Sequence, residues 1–247
     1  MMKHTRHFFP SLISLIILAC TLNLNSGCSD DLDVLLVTGG HSFDTSEFFN
    51  LFMSYEKMSI DTISQPRANI LLEEMNNSDY DVIVFYDMWQ DITENQKEVF
   101  LKLVENGTGM IFLHHSLVSY QNWDEFKNII GGKYWQEGYG IDSSRFSGYE
   151  HDLNLQVKVL DQDHPVTKDI KDFQIFDEGY SNIEMLSSVI PLLEANHPSC
   201  AKYVAWTNEY SNSRIIYIML GHDRKAYENK AFRVLVRNAI HWTSRRT

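Results

Sequence analysis

The chain has 247 residues, 44% hydrophobic, 13% aromatic and 22% charged. That is an ordinary globular composition with length for one sizeable domain, and it excludes a disordered tail, a coiled coil and a disulfide-stapled miniprotein. Lys and Arg number 21 against 33 Asp and Glu, a net charge of -12, so a phosphate-neutralising surface is hard to build and no nucleic-acid partner is expected.

Residues 1–28 read as an address. Lys3 and Arg6 precede SLISLIILAC, a short aliphatic run that gives way to Asn23, Asn25 and Ser26. A spanning helix needs about 20 apolar residues, so a secretory signal is the better reading. The segment resembles a bacterial lipoprotein signal, with Cys28, followed by Ser29-Asp30-Asp31, preferred over Cys20 as the lipidated residue. Plain cleavage without lipid is the alternative. Removing residues 1–28 deletes two cations and no acid, moving the charge to -14. The expectation is a protein held in the bacterial cell envelope, periplasm or cell surface, by a lipid anchor only. One domain is expected over 29–247.

Along that domain, DVLLVT (33–38) is a continuous apolar run ended by Gly39-Gly40, the pattern of a strand buried on both faces. Phe48, Leu51, Phe52 and Tyr55 then recur at helical spacing behind Asp44, Thr45 and Ser46 as candidate caps. Residues 80–86 repeat the buried-strand pattern, Thr93 to Gln96 forms a capping box ahead of a helix, and MIFL (110–113) is a further buried strand. Residues 131–151, rich in Gly, Tyr, Trp and Ser, read as a long loop over the strand ends. Residues 153–160 and 173–176 read as half-exposed strands, 201–207 and 214–220 as two more, paired in a hairpin across 208–213. Residues 227–242 close the chain as a helix. This alternation predicts an α/β protein with a flavodoxin-like, open, doubly wound, mostly parallel sheet and helices on both faces.

In such folds ligands bind beyond the carboxyl ends of the strands. His41, His115 and His222 each follow a buried-strand run, in LLVTGGH, MIFLHH and IIYIMLGH, and Asp177-Glu178 follows FQIF. Imidazoles and carboxylates gathered there can hold a metal or move protons. Adjacent residues on a strand face opposite ways, so one of His114 and His115 is expected to enter, and His115 is chosen. His151 precedes a strand and so belongs at the far end unless the loop folds over. His164, in a turn, reads as structural. Asp223 is placed to orient His222. No G-x-S-x-G elbow, phosphate loop or G-x-G-x-x-G occurs, so no nucleotide cofactor is expected.

Taken in order, Gly39-Gly40-His41, residues 80–84, residues 107–116, His164 to Thr167, Phe176 to Tyr180, Val204 to Thr207 and Leu220-Gly221-His222 resemble the ThuA-like (trehalose utilisation) family. The resemblance implies the class I glutamine amidotransferase-like fold. It implies no glutaminase activity, because Leu113-His114-His115-Ser116 stands where that fold carries its cysteine. It further implies a role in disaccharide or glycoside metabolism, keto-sugars included, and it puts His115, Asp177, Glu178 and His222 on recurrent polar positions. The expected activity is that of a sugar-processing hydrolase or isomerase. A divalent metal such as zinc is expected on two or three of His41, His115, Glu178 and His222. His41, Trp89, Tyr134, Trp135, Tyr139, Tyr149 and His151 are the expected contacts of a small carbohydrate. The alternative is a non-catalytic carbohydrate- or partner-binding lipoprotein on the same fold.

Overall fold

A computed structural model describes residues 31–75, 79–139 and 142–245; the expected signal and both candidate lipidation sites lie outside them. The parallel core is built from β1 (Leu32–Gly39), β2 (Met58–Ser64), β3 (Val82–Asp87), β4 (Gly109–Leu113) and β11 (Ser213–Ile218). These run in the order β2-β1-β3-β4-β11 with parallel registers throughout. Beyond β11 the sheet continues antiparallel through β10 (Tyr203–Tyr210), β9 (Ile190–Ala195), β6 (Gly148–Val159) and β7 (Phe173–Ser181). β9 and β7 therefore recover the direction of the parallel strands, while β10 and β6 oppose it.

The central strands are apolar along their whole length because both faces are covered. On β3, Phe85 packs on Phe100 of α3 (Glu94–Glu105), while its neighbour Tyr86 stacks on Phe48 of α1 (Thr45–Met53) with ring centroids 4.2 Å apart. Successive strand residues point to opposite faces, so α1 and α3 lie on opposite sides of the sheet. Phe126 of α4 (Asp124–Ile130) joins Phe100 and Phe112. The carbonyl of Arg233 in α6 (Lys230–Ser244) accepts from the Tyr55 hydroxyl after α1. The layering is the doubly wound arrangement expected.

Local signals held where they were strongest. Thr93 and Gln96 form the reciprocal capping box of α3, and β10 and β11 form the expected hairpin. Three readings change. The 227–242 helix is two, α5 (Arg224–Tyr227) and α6, divided where Asn229 caps the second. The strand through FQIF continues to Ser181. Residues 131–151 contain β5 (Gly132–Lys133), a 3-10 turn at Ser143–Arg145 and the start of β6, and β5 pairs with β8 (Glu184–Met185). The strand β2, the helices α2 (Arg67–Glu74) and α4, and the strand β9 are elements that periodicity did not reveal. Among the described residues no helix is long and apolar enough to cross a membrane.

Candidate functional site

The site lies at the carboxyl edge of the parallel strands, in a cavity of about 150 Å³. That is roughly the share of five liquid waters, the scale of one small ring. Its floor begins where β4 ends. His114 follows Leu113 with φ 48 and opens a 3-10 turn, His114–Val118. A non-glycine residue in the left-handed region stores strain that packing must hold in place. The Tyr217 hydroxyl donates to the His114 carbonyl at 3.0 Å and fixes the turn. Because the turn replaces the pleat, His114 and His115 both line the cavity, and the expectation that only one would enter is corrected.

His114 has a defined tautomer. Its Nδ1 lies 2.6 Å from the Met219 carbonyl, which only accepts, so Nδ1 carries hydrogen and Nε2 turns a lone pair inward. That Nε2 is 3.0 Å from His222 Nδ1, 3.2 Å from the Tyr180 hydroxyl and 3.9 Å from Glu178 Oε1. Glu178 Oε2 is 3.0 Å from His222 Nδ1. Within this group two acceptors, His114 Nε2 and the carboxylate, converge on one His222 nitrogen. The ligand atoms of His114, Glu178 and His222 all lie within 4.8 Å of one another. Donors about 2.0–2.1 Å from a tetrahedral ion stand roughly 3.3 Å apart, so the separations fit a divalent cation.

Burial dominates the electrostatics. It pushes Glu178 up to about 7, reinforced by the charge of Asp177. It holds His114 well below its ordinary value, with His115 and His222 adding to the effect, and carries His115 down to about 3. His222 is lowered by burial and by His151. The imidazoles are thus kept neutral, the form that ligates.

β6 brings the fourth histidine. Its antiparallel direction places its start, not its end, at the carboxyl edge of the parallel strands. Between the pairs Glu150↔Gly179 and Leu153↔Asp177 two β6 residues face one β7 residue. A bulge of this kind re-aims a side chain, and His151 Nδ1 meets Glu178 Oε2 at 2.8 Å. His151 therefore lies at the site and not at the far end.

Asp177 does not line the cavity. Its buried carboxylate accepts from the backbone N–H groups of Glu178, Gly221 and His222 at 2.9, 2.7 and 2.9 Å. It ties β7 to the turn after β11 and thereby sets Glu178 against His222. Tyr86 and Tyr227 donate to the carbonyls of Gly221 and His222 at 2.9 and 3.0 Å, so the turn is held on both sides. Asp223 does not orient His222; it caps α5 by accepting from Lys225 and Ala226 N–H.

His41 reaches the cavity from the Gly39-Gly40 turn, where a Cβ on Gly40, at φ 81, would stand 1.8 Å from the Met88 carbonyl. Only glycine permits that approach. Its ring centroid is 5.0 Å from that of His115 and 5.8 Å from that of His222. Trp89 (φ 56, 58% exposed) and Tyr149 (63% exposed) stand at the mouth, and Tyr134 is buried in the wall. Trp135 and Tyr139 lie elsewhere. Lys133 Nζ and Arg145 Cζ lie 4.5 and 5.0 Å from the Trp135 ring centroid, and the ring donates from Nε1 to Glu184. Tyr139 borders a separate surface groove with it. Met88, just past the β3 run, and Tyr180, in the Phe176 to Tyr180 motif, also line the cavity, as do Gln136 and Val118, which nothing in the local sequence pattern marks.

Asp87, at the end of β3, is 1% exposed and accepts from Gln65 Nε2 at 2.8 Å. Burial raises it to about 7, above the ordinary 3.8. A raised carboxyl favours the fold fully below its unfolded value, and that contribution is lost as pH rises through 7. Asp87→Asn is therefore expected to gain on wild type between pH 5 and pH 8, by on the order of 2 kcal/mol. Urea unfolding of both proteins at the two pH values checks this, and parallel pH slopes would refute it.

A family model described as ThuA, trehalose utilisation, matches residues 33–243. The chain belongs to this family. Its structural neighbours include a ThuA-like protein from Parabacteroides merdae ATCC 43184, at 19% identity and TM-score 0.71 over 87% of this chain and 90% of that one. Another is a ThuA-like protein from Bacteroides uniformis ATCC 8492, at 18% identity and TM-score 0.63 over 90% and 94%. A β-galactosidase from Bacillus circulans sp. alkalophilus shares the fold at 13% identity and TM-score 0.56, over 85% of this chain and 31% of that chain. No curated protein matches by sequence. These likenesses carry the fold, and the ThuA model carries the family.

Proposed function

We propose that this ThuA-family protein processes a disaccharide or glycoside, keto-sugars included, as a hydrolase or isomerase working with a divalent ion such as zinc. The observation that carries the reading is the convergence of His114 Nε2, the Glu178 carboxylate and His222 Nδ1 at the floor of a ring-sized cavity. His114 takes the ligand place first given to His115. His41 and His115 serve the substrate side. An ion held there supplies a Lewis acid for a sugar carbonyl or activates water. Met219 orients His114 through its carbonyl, and Asp177 orients Glu178 and His222 through the backbone. Half-exposed His151, 2.8 Å from Glu178, exchanges protons between the cavity and solvent. Trp89, Tyr134 and Tyr149 offer ring faces to the apolar side of a pyranose.

The strained elbow after β4 carries His114 rather than cysteine, and Cys200 is buried on another loop against Met219. Glutaminase chemistry therefore has no nucleophile in this reading. The leader places the protein in the bacterial envelope by a lipid on Cys28, with Cys20 the alternative.

Elemental analysis of the purified protein is combined with turnover of ordinary and oxidised disaccharides, before and after chelation. Near-stoichiometric zinc, with turnover lost on chelation and restored by zinc, is expected. Unchanged turnover after chelation of a metal-free protein removes the metal, and binding of sugar without any turnover makes the protein a carbohydrate-binding lipoprotein.

A further inference from the structure

Beside the three converging ligands the cavity has a second polar wall. His41 and His115 line it, and each carries a buried nitrogen, His41 Nδ1 and His115 Nε2, with no hydrogen-bond partner among the described residues. His115 is 2% exposed, and its Nδ1 lies 3.2 Å from the Asp87 carbonyl. A carbonyl only accepts, so Nδ1 carries the hydrogen and the neutral ring leaves a bare lone pair on Nε2. A buried acceptor left without a donor costs about 1–3 kcal/mol. Because both rings line the cavity, a ligand seated there is the group that can come within reach of these nitrogens. The His115 ring is also held in place, since the Tyr86, His41 and His114 rings pack on it with centroids 4.3, 5.0 and 5.3 Å away.

We propose that His115 Nε2 is a hydroxyl-reading acceptor, which takes the hydrogen of one hydroxyl of the sugar while His41 Nδ1 meets the adjacent hydroxyl. The ligand class is a polyol ring with neighbouring free hydroxyls. A carbonyl oxygen at this place would set lone pair against lone pair. When the substrate is a keto-sugar, its ketone therefore faces His114, Glu178 and His222, and an unoxidised hydroxyl faces His115. The assignment rests on the sugar reading of the pocket and is independent of the ion.

The test titrates the purified protein with D-glucose and its monodeoxy analogues by calorimetry, in wild type and in His115→Phe, which keeps a ring and removes the acceptor. Wild type is expected to lose at least about 10-fold in affinity for one analogue. His115→Phe is expected to bind glucose and that analogue alike. Nitrogen-15 spectra of the wild-type histidines supply a second readout that needs no variant. They should show His115 unprotonated at Nε2 in the free protein, with that resonance moving on glucose addition. A flat response across the deoxy series, a protonated Nε2, or unchanged discrimination in His115→Phe overturns the proposal. Glucose binding with a flat series leaves the sugar reading standing while this assignment falls. Failure of every sugar to bind overturns both. Absence of zinc with discrimination intact touches only the metal.

Discussion

His222→Ala is expected to melt within a few degrees of wild type and to lose at least about 100-fold in zinc affinity. The backbone of His222 is held independently of its ring, since Asp177 accepts from its N–H and Tyr227 donates to its carbonyl. Removing the imidazole therefore leaves the turn after β11 in place and costs little of the core. It removes the one nitrogen that lies 3.0 Å from both His114 Nε2 and Glu178 Oε2. Loss of groups that merely orient ligands commonly costs 10–100-fold in metal affinity, and loss of a ligand belongs at or beyond the upper end of that range. Thermal melting and zinc titration on the same preparation decide the matter. Wild-type affinity would take His222 out of the metal set, and an unfolded variant would make the ring a structural support.

Asp177→Ala is expected to have the larger effect on stability, a loss on the order of 4 kcal/mol and roughly 10 °C in melting temperature for a domain of this size. The carboxylate is 2% exposed and accepts three backbone N–H groups. Alanine leaves those three donors without their acceptor. Asp177→Asn is expected to recover only part of the loss, because its amide presents one acceptor and turns donors toward the remaining N–H groups. Both variants should also weaken zinc binding, since Glu178 and His222 are aligned through that carboxylate. Denaturant unfolding with wild-type stability in Asp177→Ala would show that water or the relaxed turn replaces the carboxylate without cost.

Much of the site was legible because its residues sit just after apolar runs. LLVTGGH, MIFLHH, FQIFDE and IIYIMLGH each declare a buried strand by continuous hydrophobicity and a polar terminus by the break in it. That reading found His41, Glu178 and His222 before any coordinate. It chose His115 over His114 by applying strand alternation one residue too far. The chain leaves the pleat at His114 with φ 48, and a turn has no such alternation. For His151 the sequence left two ends of the strand open, and topology decides between them: β6 runs antiparallel and bulges opposite Glu178, and neither pairing direction nor bulge register is encoded within the segment itself. Trp135 and Tyr139 were chosen by composition alone, and an aromatic in a loop is as readily spent on cations, as with Lys133 and Arg145 beside Trp135.

The edge elements escaped for a similar reason. In MSIDTIS of β2 the alternation breaks at Asp61-Thr62, two exposed polar residues in a row, and α4 is only seven residues long, so neither carries a periodic signal strong enough to stand alone. By itself the sequence determined the buried strands, the capped helix α3 and the strand-end placement of the chemistry, because those depend on local hydrophobicity and hydrogen bonding. The tertiary structure alone decided which polar groups meet. β7 lies at the far edge of the hydrogen-bonded sheet, yet Asp177 reaches the Gly221-His222 turn and Tyr180 N–H points to Met219 Sδ at 3.4 Å. That return of an edge strand over the parallel core joins Glu178 to His114 and His222. It arises from the packing of residues 39 and 44 positions apart, which no local window contains.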